Sequence, residues 1–236
     1  MQKRHWVMNK KDKKEVKDNR VMQFLPVGPD KLILDACAGG RMLKRSPLYL
    51  SLGASNHTDE HRQQQDYYAT EPKAAELLLE VETFNENIWE CACGEGHLAK
   101  VFENCGHNVK ASDLVDRGYG TIEDFLFFND SKWNGDIITN PPFEKAEEFI
   151  QKAIDIIPSG NKVAMFLRLQ FLEGKRRKQF FKDNPPKVIY VASGRIMTAK
   201  NGEFERMREG GGSAVAYAWF IWVKDYNGET ILRWIN

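Results

Sequence analysis

The sequence predicts an α/β fold with a mostly parallel sheet. From residue 66 onward, short apolar runs alternate with stretches that have the periodicity of amphipathic helices, a pattern typical of strand-helix-strand units. The chain has 236 residues, of which 42% are apolar. That is enough for one sizeable core and too little for two full domains. We therefore expect one main domain over residues 66–236.

The first elements of this domain follow from local signals. A helix is expected over Glu71–Val81, with Pro72 in its first turn and Thr70 as its cap. A strand over Ile88–Ala92 and a helix over about His97–Asn104 follow. The remaining predicted elements are strands at Val109–Ser112, Asp136–Thr139, Lys162–Leu167, Val188–Ala192 and Ala214–Val223, and a helix from Phe143 toward Ile157.

Residues 1–65 do not fit this alternation. The first 20 residues contain eight Lys or Arg against three Asp or Glu, although the net charge of the whole chain is only +1. A polar tract follows over Ser55–Gln65. We expect a basic, irregular N-terminal extension that is partly disordered. Within it, Leu32–Met42 resembles a strand that runs into a glycine turn at Asp35–Gly40, and we interpret it as an extra strand or a relic.

The cysteines indicate a reducing compartment. Cys37, Cys91, Cys93 and Cys105 lie in apolar or glycine-rich surroundings, and the sequence shows neither a signal peptide nor a long apolar span. We therefore expect a cytoplasmic protein with reduced thiols and no membrane contact. The Cys91 and Cys93 pair has C-x-C spacing, and no second pair follows at zinc-ligand distance, so we expect no metal site.

A glycine turn follows the first predicted strand of the main domain. Gly94 and Gly96 lie where that strand turns into a helix, so backbone N–H groups can approach a ligand closely. About twenty residues later, Asp113 ends the second strand, where a carboxylate can accept hydrogen bonds from both hydroxyls of a ribose. Each feature alone is compatible with an ordinary turn or cap. Together they indicate a nucleoside-cofactor site.

A second motif, Asn140-Pro141-Pro142-Phe143, follows the apolar run Asp136–Thr139. The Asn140 amide oxygen and the Pro141 carbonyl can accept the two hydrogens of an exocyclic amine, and the prolines fix the direction of that carbonyl. Phe143 can stack on a planar base. The alternative is a loop breaker beside a core phenylalanine, but the glycine turn upstream favours amine chemistry.

In their order, these motifs resemble those of the S-adenosylmethionine-dependent amino-methyltransferases, most of all the phage-type DNA N6-adenine methyltransferases. The resemblance also includes the lead-in Asp66–Pro72, the aromatic strand 217–222 and the ending Ile231–Ile235, and it covers about residues 66–236. It implies a Rossmann-like class I methyltransferase domain with a seven-stranded sheet and helices on both faces. The last strand would be antiparallel and lie between the fifth and sixth strands.

The resemblance also implies S-adenosyl-L-methionine as the cofactor and assigns roles to residues. By this resemblance, the catalytic residues would be Asn140, Pro141, Pro142 and Phe143. The residues implied to bind the cofactor are Tyr68, Thr70, Glu90, Cys91, Gly94, Gly96, Asp113, Leu114, Asp124 and Phe125.

Two basic segments are candidates for contact with nucleic acid. Lys175, Arg176, Arg177 and Lys178 follow a strand at the sheet end that carries the catalytic motif, and they could equally form a solvated helix face. The polar loop Thr198–Ser213, which carries Lys200, Arg206 and Arg208, could cover a target base or be a plain hairpin.

The leading functional hypothesis is methylation of the N6 amine of adenine in DNA, by a monomer or weak dimer. The same chemistry suits an RNA base, at adenine N6 or guanine N2, and also a glutamine amide. Cytosine N4 is less favoured, because relatives with that target more often carry Ser in place of Asn140. A noncatalytic nucleic-acid binder is the alternative from another class, and the intact motifs argue against it.

Overall fold

The computed structural model describes residues 68–129, 132–200, 202, 204–209 and 215–236. The predictions for residues 1–65, including the basic arm, the second glycine turn at Leu32–Met42 and Cys37, lie outside the described residues. So do Gly210–Gly212, at the end of the predicted loop.

The elements follow the expected alternation. The strands are β1 (Tyr68–Thr70), β2 (Asn87–Glu90), β3 (Asn108–Asp113), β4 (Thr121–Ile122), β5 (Asp136–Thr139), β6 (Lys162–Arg168), β7 (Val188–Ala192), β8 (Thr198–Lys200), β9 (Tyr217–Val223) and β10 (Ile231–Ile235). The helices are α1 (Lys73–Val81), α2 (Ala99–Asn104), α3 (Ala146–Ile156), α4 (Lys175–Asp183) and α5 (Phe204–Glu209), with short 3₁₀ turns at Phe125–Phe127, Phe143–Lys145 and Leu169–Leu172.

The central sheet has eight strands in the order β10-β7-β9-β6-β5-β2-β3-β4. All its pairings are parallel except those of β9, which runs antiparallel between β6 and β7. The α/β prediction with a mostly parallel sheet is therefore confirmed. The expected antiparallel strand is present between β6 and β7, but two details were wrong. It is not the last strand of the sheet, because β10 follows it in the chain. The sheet has eight strands and not seven, because β10 pairs parallel with β7 at the sheet edge.

Helices pack on both faces of the sheet. On one face, Ile137 belongs to the same core cluster as Phe149 of α3. On the other, Ile138 clusters with Leu78 of α1 and Phe102 of α2. Because the central strands are buried on both sides, they are continuously apolar, which is why the sequence identified them. Among the described residues, no helix combines the length and apolar character needed to cross a membrane.

Thr70 does not cap the first helix. Pro72 occupies the N-cap position without a side-chain hydrogen bond, and the helix begins at Lys73, two residues after the predicted start. Thr70 ends strand β1, and its hydroxyl bonds to a side chain elsewhere in the fold. The cap prediction was wrong because the Thr70 hydroxyl forms a long-range hydrogen bond, with Asn140, in place of the local one predicted at the helix start.

The prediction of a loop over Thr198–Ser213 was also wrong for most of the residues that the structure describes in this segment. The segment contains strand β8 and helix α5. Strand β8 pairs antiparallel with β1, with Thr70 opposite Thr198, and forms a separate two-stranded sheet. This pairing joins segments more than a hundred residues apart, so no local pattern reveals it.

Candidate active site

A cavity of about 570 Å³ lies at the carboxyl ends of β2, β3 and β5. Ligands of open parallel sheets bind at this edge. Twelve of the fourteen residues predicted for catalysis or cofactor binding line the cavity: Tyr68, Thr70, Glu90, Cys91, Asp113, Leu114, Asp124, Phe125, Asn140, Pro141, Pro142 and Phe143. The other two, Gly94 and Gly96, shape the loop that forms part of its wall.

The glycine loop is organised by Asp113. Gly94 and Gly96 both have positive φ, at 55° and 77°, a conformation that other residues rarely adopt. The Gly94 N–H donates to Asp113 Oδ2 at 2.9 Å, and the Val115 N–H donates to Oδ1 at 3.0 Å. A Cβ added at Gly96 would overlap the ring of Tyr119. The loop therefore has a defined shape, which the Asp113 carboxylate and backbone hydrogen bonds of Cys93 and Gly96 hold together.

Glu90, at the end of β2, is a buried carboxyl group on the cavity wall. Its side chain accepts a hydrogen bond from the Ala99 N–H, but Oε2 has no partner. Burial raises the pKa of Glu90 well above its ordinary value, and the nearby Asp113 charge adds to this effect. Glu90 therefore keeps its proton at pH values where an exposed glutamate is ionised.

The two cysteines of the loop are buried thiols. Burial raises the pKa of Cys91, and it raises the pKa of Cys93 to about 12. The Cys93 thiol donates to the Tyr119 carbonyl at 3.5 Å. In the part of the chain that the structure describes, no group of three His, Cys, Asp or Glu side chains is arranged to hold a metal ion.

Asp124, Phe125 and Leu114 face the cavity from its glycine-loop side. Asp124 Oδ1 accepts from the Leu126 N–H at 3.0 Å and caps a 3₁₀ turn. Phe125 is 1% exposed and packs edge-on against Trp89, whereas Leu114 is 60% exposed. Phe125 is thus part of both the hydrophobic core and the cavity wall, and the exposed Leu114 side chain can contact a ligand.

Asn140, directly after β5, has its two amide ends in different environments. Its Nδ2 group donates to Thr70 Oγ1 at 2.8 Å and lies 3.4 Å from the Tyr68 carbonyl. Its Oδ1 atom is buried and has no hydrogen-bond partner. A buried acceptor without a donor costs about 1–3 kcal/mol. On a cavity wall, such an atom is suited to accept a hydrogen bond from a ligand.

Phe143 is surrounded by aromatic and cationic groups. The rings of Tyr68 and Tyr217 have centroids 6.1 and 6.3 Å from that of Phe143. The Arg168 guanidinium carbon lies 4.0 Å from the Phe143 centroid, and Arg168 Nε is buried without a partner. The ring is thus held by neighbours on β1, β6 and β9.

The basic segment Lys175–Lys178 forms the first turn of α4. Arg177 donates to Glu147 Oε1 at 3.2 Å and to the carbonyls of Gln170 and Glu173 at 3.2 and 3.1 Å. Arg177 therefore fastens the helix to α3 and to the preceding turn. Arg176 also pairs with Glu147, but its side chain is 81% exposed, and Lys175 and Lys178 are exposed as well.

Lys200, Arg206 and Arg208 lie in β8 and α5, and their side chains are outside the described part of the molecule. Helix α5 lies beside the glycine loop, because Phe204 packs edge-on against His97, with ring centroids 5.4 Å apart. The basic residues of this segment thus belong to an element next to the cavity.

Sequence reasoning missed several side chains at this site: Arg117, Glu123, Glu144, Lys145 and His97 line the cavity, and Arg168 lies against Phe143. His97 lines the cavity, and burial lowers its pKa. Its position directly after the glycine turn was the available signal. Arg168 was missed although it ends an otherwise apolar strand at the sheet edge that carries the motifs, and that position is a usable sign of a functional charge.

Comparison with known proteins identifies the fold. No family model matches the chain, and a search of curated sequences finds no significant match. The structure is similar to that of a candidate class I S-adenosylmethionine-dependent methyltransferase from Listeria monocytogenes, with a TM-score of 0.50 and 16% identity, over 79% of this chain and 71% of that chain. A candidate RNA methyltransferase from Pyrococcus horikoshii aligns with a TM-score of 0.49 and 16% identity, over 75% and 97% of the two chains. The chain has the Rossmann-like fold of class I methyltransferases.

Proposed function

We propose that this protein is an S-adenosylmethionine-dependent methyltransferase that transfers a methyl group to the exocyclic N6 amine of adenine in DNA. The observation that carries the proposal is the buried, unpaired Oδ1 of Asn140, a residue that lines the same cavity as residues of the glycine loop. The Asn-Pro-Pro-Phe motif adds the resemblance to enzymes that methylate amino groups.

The residues present fit the cofactor. The cavity of about 570 Å³ lies within the range typical of small-molecule sites. Asp113 and the glycine-loop backbone would hold the nucleoside, and Glu90 offers an unpaired buried oxygen in the same wall. When bound, S-adenosylmethionine supplies a sulfonium methyl group, which the amine nitrogen attacks as the carbon–sulfur bond breaks and its electron pair stays on sulfur.

The Asn140 side of the cavity would prepare the amine. The lone pair of an aromatic amine is delocalised into its ring, so the nitrogen is a poor nucleophile. Asn140 Oδ1 and the Pro141 carbonyl would accept its two hydrogens and orient the lone pair toward the methyl group. Both hydrogen bonds strengthen as positive charge develops on nitrogen, so they favour the transition state over the ground state. The surplus proton then passes to solvent.

The target base must leave the duplex to reach this cavity. Phe143 would stack on the base, with Arg168 behind the ring at 4.0 Å. The exposed Lys175 and Lys178 at the start of α4 would contact phosphates, whereas Arg177 is already engaged with Glu147. The two lysines would thus supply sequence-independent affinity for the phosphate backbone, and the cavity residues would carry out methyl transfer.

The proposal is tested by incubating the protein with methyl-labelled S-adenosylmethionine and, separately, with unmethylated duplex DNA, tRNA and rRNA. Digestion to nucleosides then identifies the labelled base. We expect label in N6-methyladenine from DNA. Label confined to RNA would contradict the choice of substrate, and an absence of label from all three nucleic acids would contradict the proposed activity.

A further inference from the structure

The orientation of the Asn140 amide is set from strand β1. Two oxygen atoms lie near its nitrogen: Thr70 Oγ1 at 2.8 Å and the Tyr68 carbonyl at 3.4 Å. A hydroxyl can donate or accept, but a carbonyl can only accept. The NH₂ end of the amide must therefore face β1. The Oδ1 end consequently points away from the strand.

Of the two contacts, the one with Thr70 is the stronger. Its distance is near the optimum for a hydrogen bond, whereas 3.4 Å lies near the outer limit. Thr70 is only 4% exposed, so water does not readily replace its hydroxyl. Without Thr70 Oγ1, the amide nitrogen would keep only the weak contact, and rotation of the amide would become easier.

Thr70 itself has a rigid support. Its strand pairs with β8 with Thr70 opposite Thr198, and the Thr198 hydroxyl hydrogen-bonds to that of Tyr217 at 2.7 Å in a buried position. Tyr217 belongs to the central sheet and lies beside Phe143. The small two-stranded sheet is thus anchored to the main sheet at a point independent of Asn140.

We propose that Thr70 is a positioning residue that fixes Asn140 with Oδ1 toward the target amine. This inference rests on the proposed function, and it replaces the cofactor-binding role that the resemblance implied for Thr70. It predicts that the hydroxyl of Thr70 affects the rate of methyl transfer and leaves cofactor affinity unchanged.

The test compares Thr70→Val, which keeps the branched shape but lacks the acceptor, with Thr70→Ser, which keeps the oxygen. In single-turnover reactions at saturating S-adenosylmethionine, the rate should fall about tenfold in Thr70→Val, as expected for one buried hydrogen bond, and stay within about twofold of the wild type in Thr70→Ser. The dissociation constant for S-adenosylmethionine, measured by calorimetry, should be the same in all three proteins.

Three results would overturn the inference: an unchanged rate in Thr70→Val, equal loss in both variants, or a weaker affinity of Thr70→Val for S-adenosylmethionine, which would assign the hydroxyl to cofactor binding. A wild type without methyl transfer would contradict the proposed function instead. The positioning contact is then still tested by NMR, through the Asn140 side-chain NH₂ signal, assigned by its absence in Asn140→Ala. Slow solvent exchange in the wild type that speeds up in Thr70→Val supports the contact, and equal exchange rates refute it.

Discussion

The glycine loop and the Asn140 loop form opposite sides of one cavity, and they differ in how their polar atoms are paired. On the glycine side, both oxygens of Asp113 accept backbone N–H groups at 2.9 and 3.0 Å. On the other side, Asn140 Oδ1 is buried without a partner, and so is Nε of Arg168, which packs against the cavity residue Phe143. The Asp113 carboxylate on the first side is thus fully paired, whereas the Asn140 amide on the second keeps an unused acceptor.

This difference indicates how each side would bind a ligand. The glycine loop donates a backbone hydrogen bond to Asp113, so it has its shape before a ligand arrives, and less conformational entropy is lost when the ligand binds. An unpaired buried acceptor destabilises the empty protein, and a ligand that donates a hydrogen bond recovers that free energy. Glu90 departs from this division, because its Oε2 is unpaired on the glycine side.

The largest expected effect on the glycine side comes from Asp113→Ala. The change removes the acceptor for the Gly94 N–H in this loop and the acceptor for the Val115 N–H after β3. We therefore expect affinity for S-adenosylmethionine, measured by calorimetry, to fall at least about a hundredfold, or roughly 2.7 kcal/mol. The matched control is Asp116→Ala, which removes an exposed carboxylate that accepts the Gly118 N–H at 2.9 Å. Equal affinities for the two variants would show that the loop does not depend on Asp113.

A smaller effect separates backbone strain from close packing, by comparing a glycine of this loop with a glycine of the loop between β3 and β4. Gly96 and Gly118 have nearly identical φ, 77° and 78°, but only a Cβ at Gly96 would meet a neighbour, the ring of Tyr119. We expect Gly96→Ala to lower the free energy of unfolding by about 2 kcal/mol more than Gly118→Ala does, in urea titrations. Equal losses would mean that Tyr119 moves aside freely and that the loop is less rigid than its hydrogen bonds indicate.

Glu90, the unpaired group on the glycine side, is expected to make the folding stability depend on pH. Because its pKa is raised in the folded protein, folding stability is fully present below the unfolded pKa of about 4.3 and is lost as pH rises toward the folded value, by up to ~1.4 kcal/mol per pH unit. Glu90→Gln remains neutral throughout. The difference in unfolding free energy between variant and wild type should therefore grow as pH rises through the range above the unfolded pKa of Glu90.

The raised pKa of Asp136 acts in the same direction, but it is common to both proteins and cancels in the difference. Stability curves for Glu90→Gln and wild type that stay parallel over this range would show that Glu90 titrates as an ordinary exposed carboxyl group.

The sequence revealed those parts of the site that depend on neighbouring residues. Strand β5 and the motif after it are adjacent in the chain, and the Gly94 turn and Asp113 lie within one strand-helix-strand unit. The roles of Thr70 and Arg177 could not be predicted, because their partners Asn140 and Glu147 lie 70 and 30 residues away. Strand β8 was missed for the same reason, since its partner is β1.

In the proposed mechanism, Asn140 acts on the target amine and the glycine loop holds the cofactor. Both roles are tested by single-turnover methyl transfer with Asn140→Ala, alongside calorimetry with S-adenosylmethionine, with Asn227→Ala as an exposed control. We expect the rate to fall by about 10²–10³-fold and the cofactor affinity to stay unchanged, because the lost acceptor stabilises the transition state. A rate equal to that of the wild type, or a loss of cofactor binding that explains the whole effect, would contradict it.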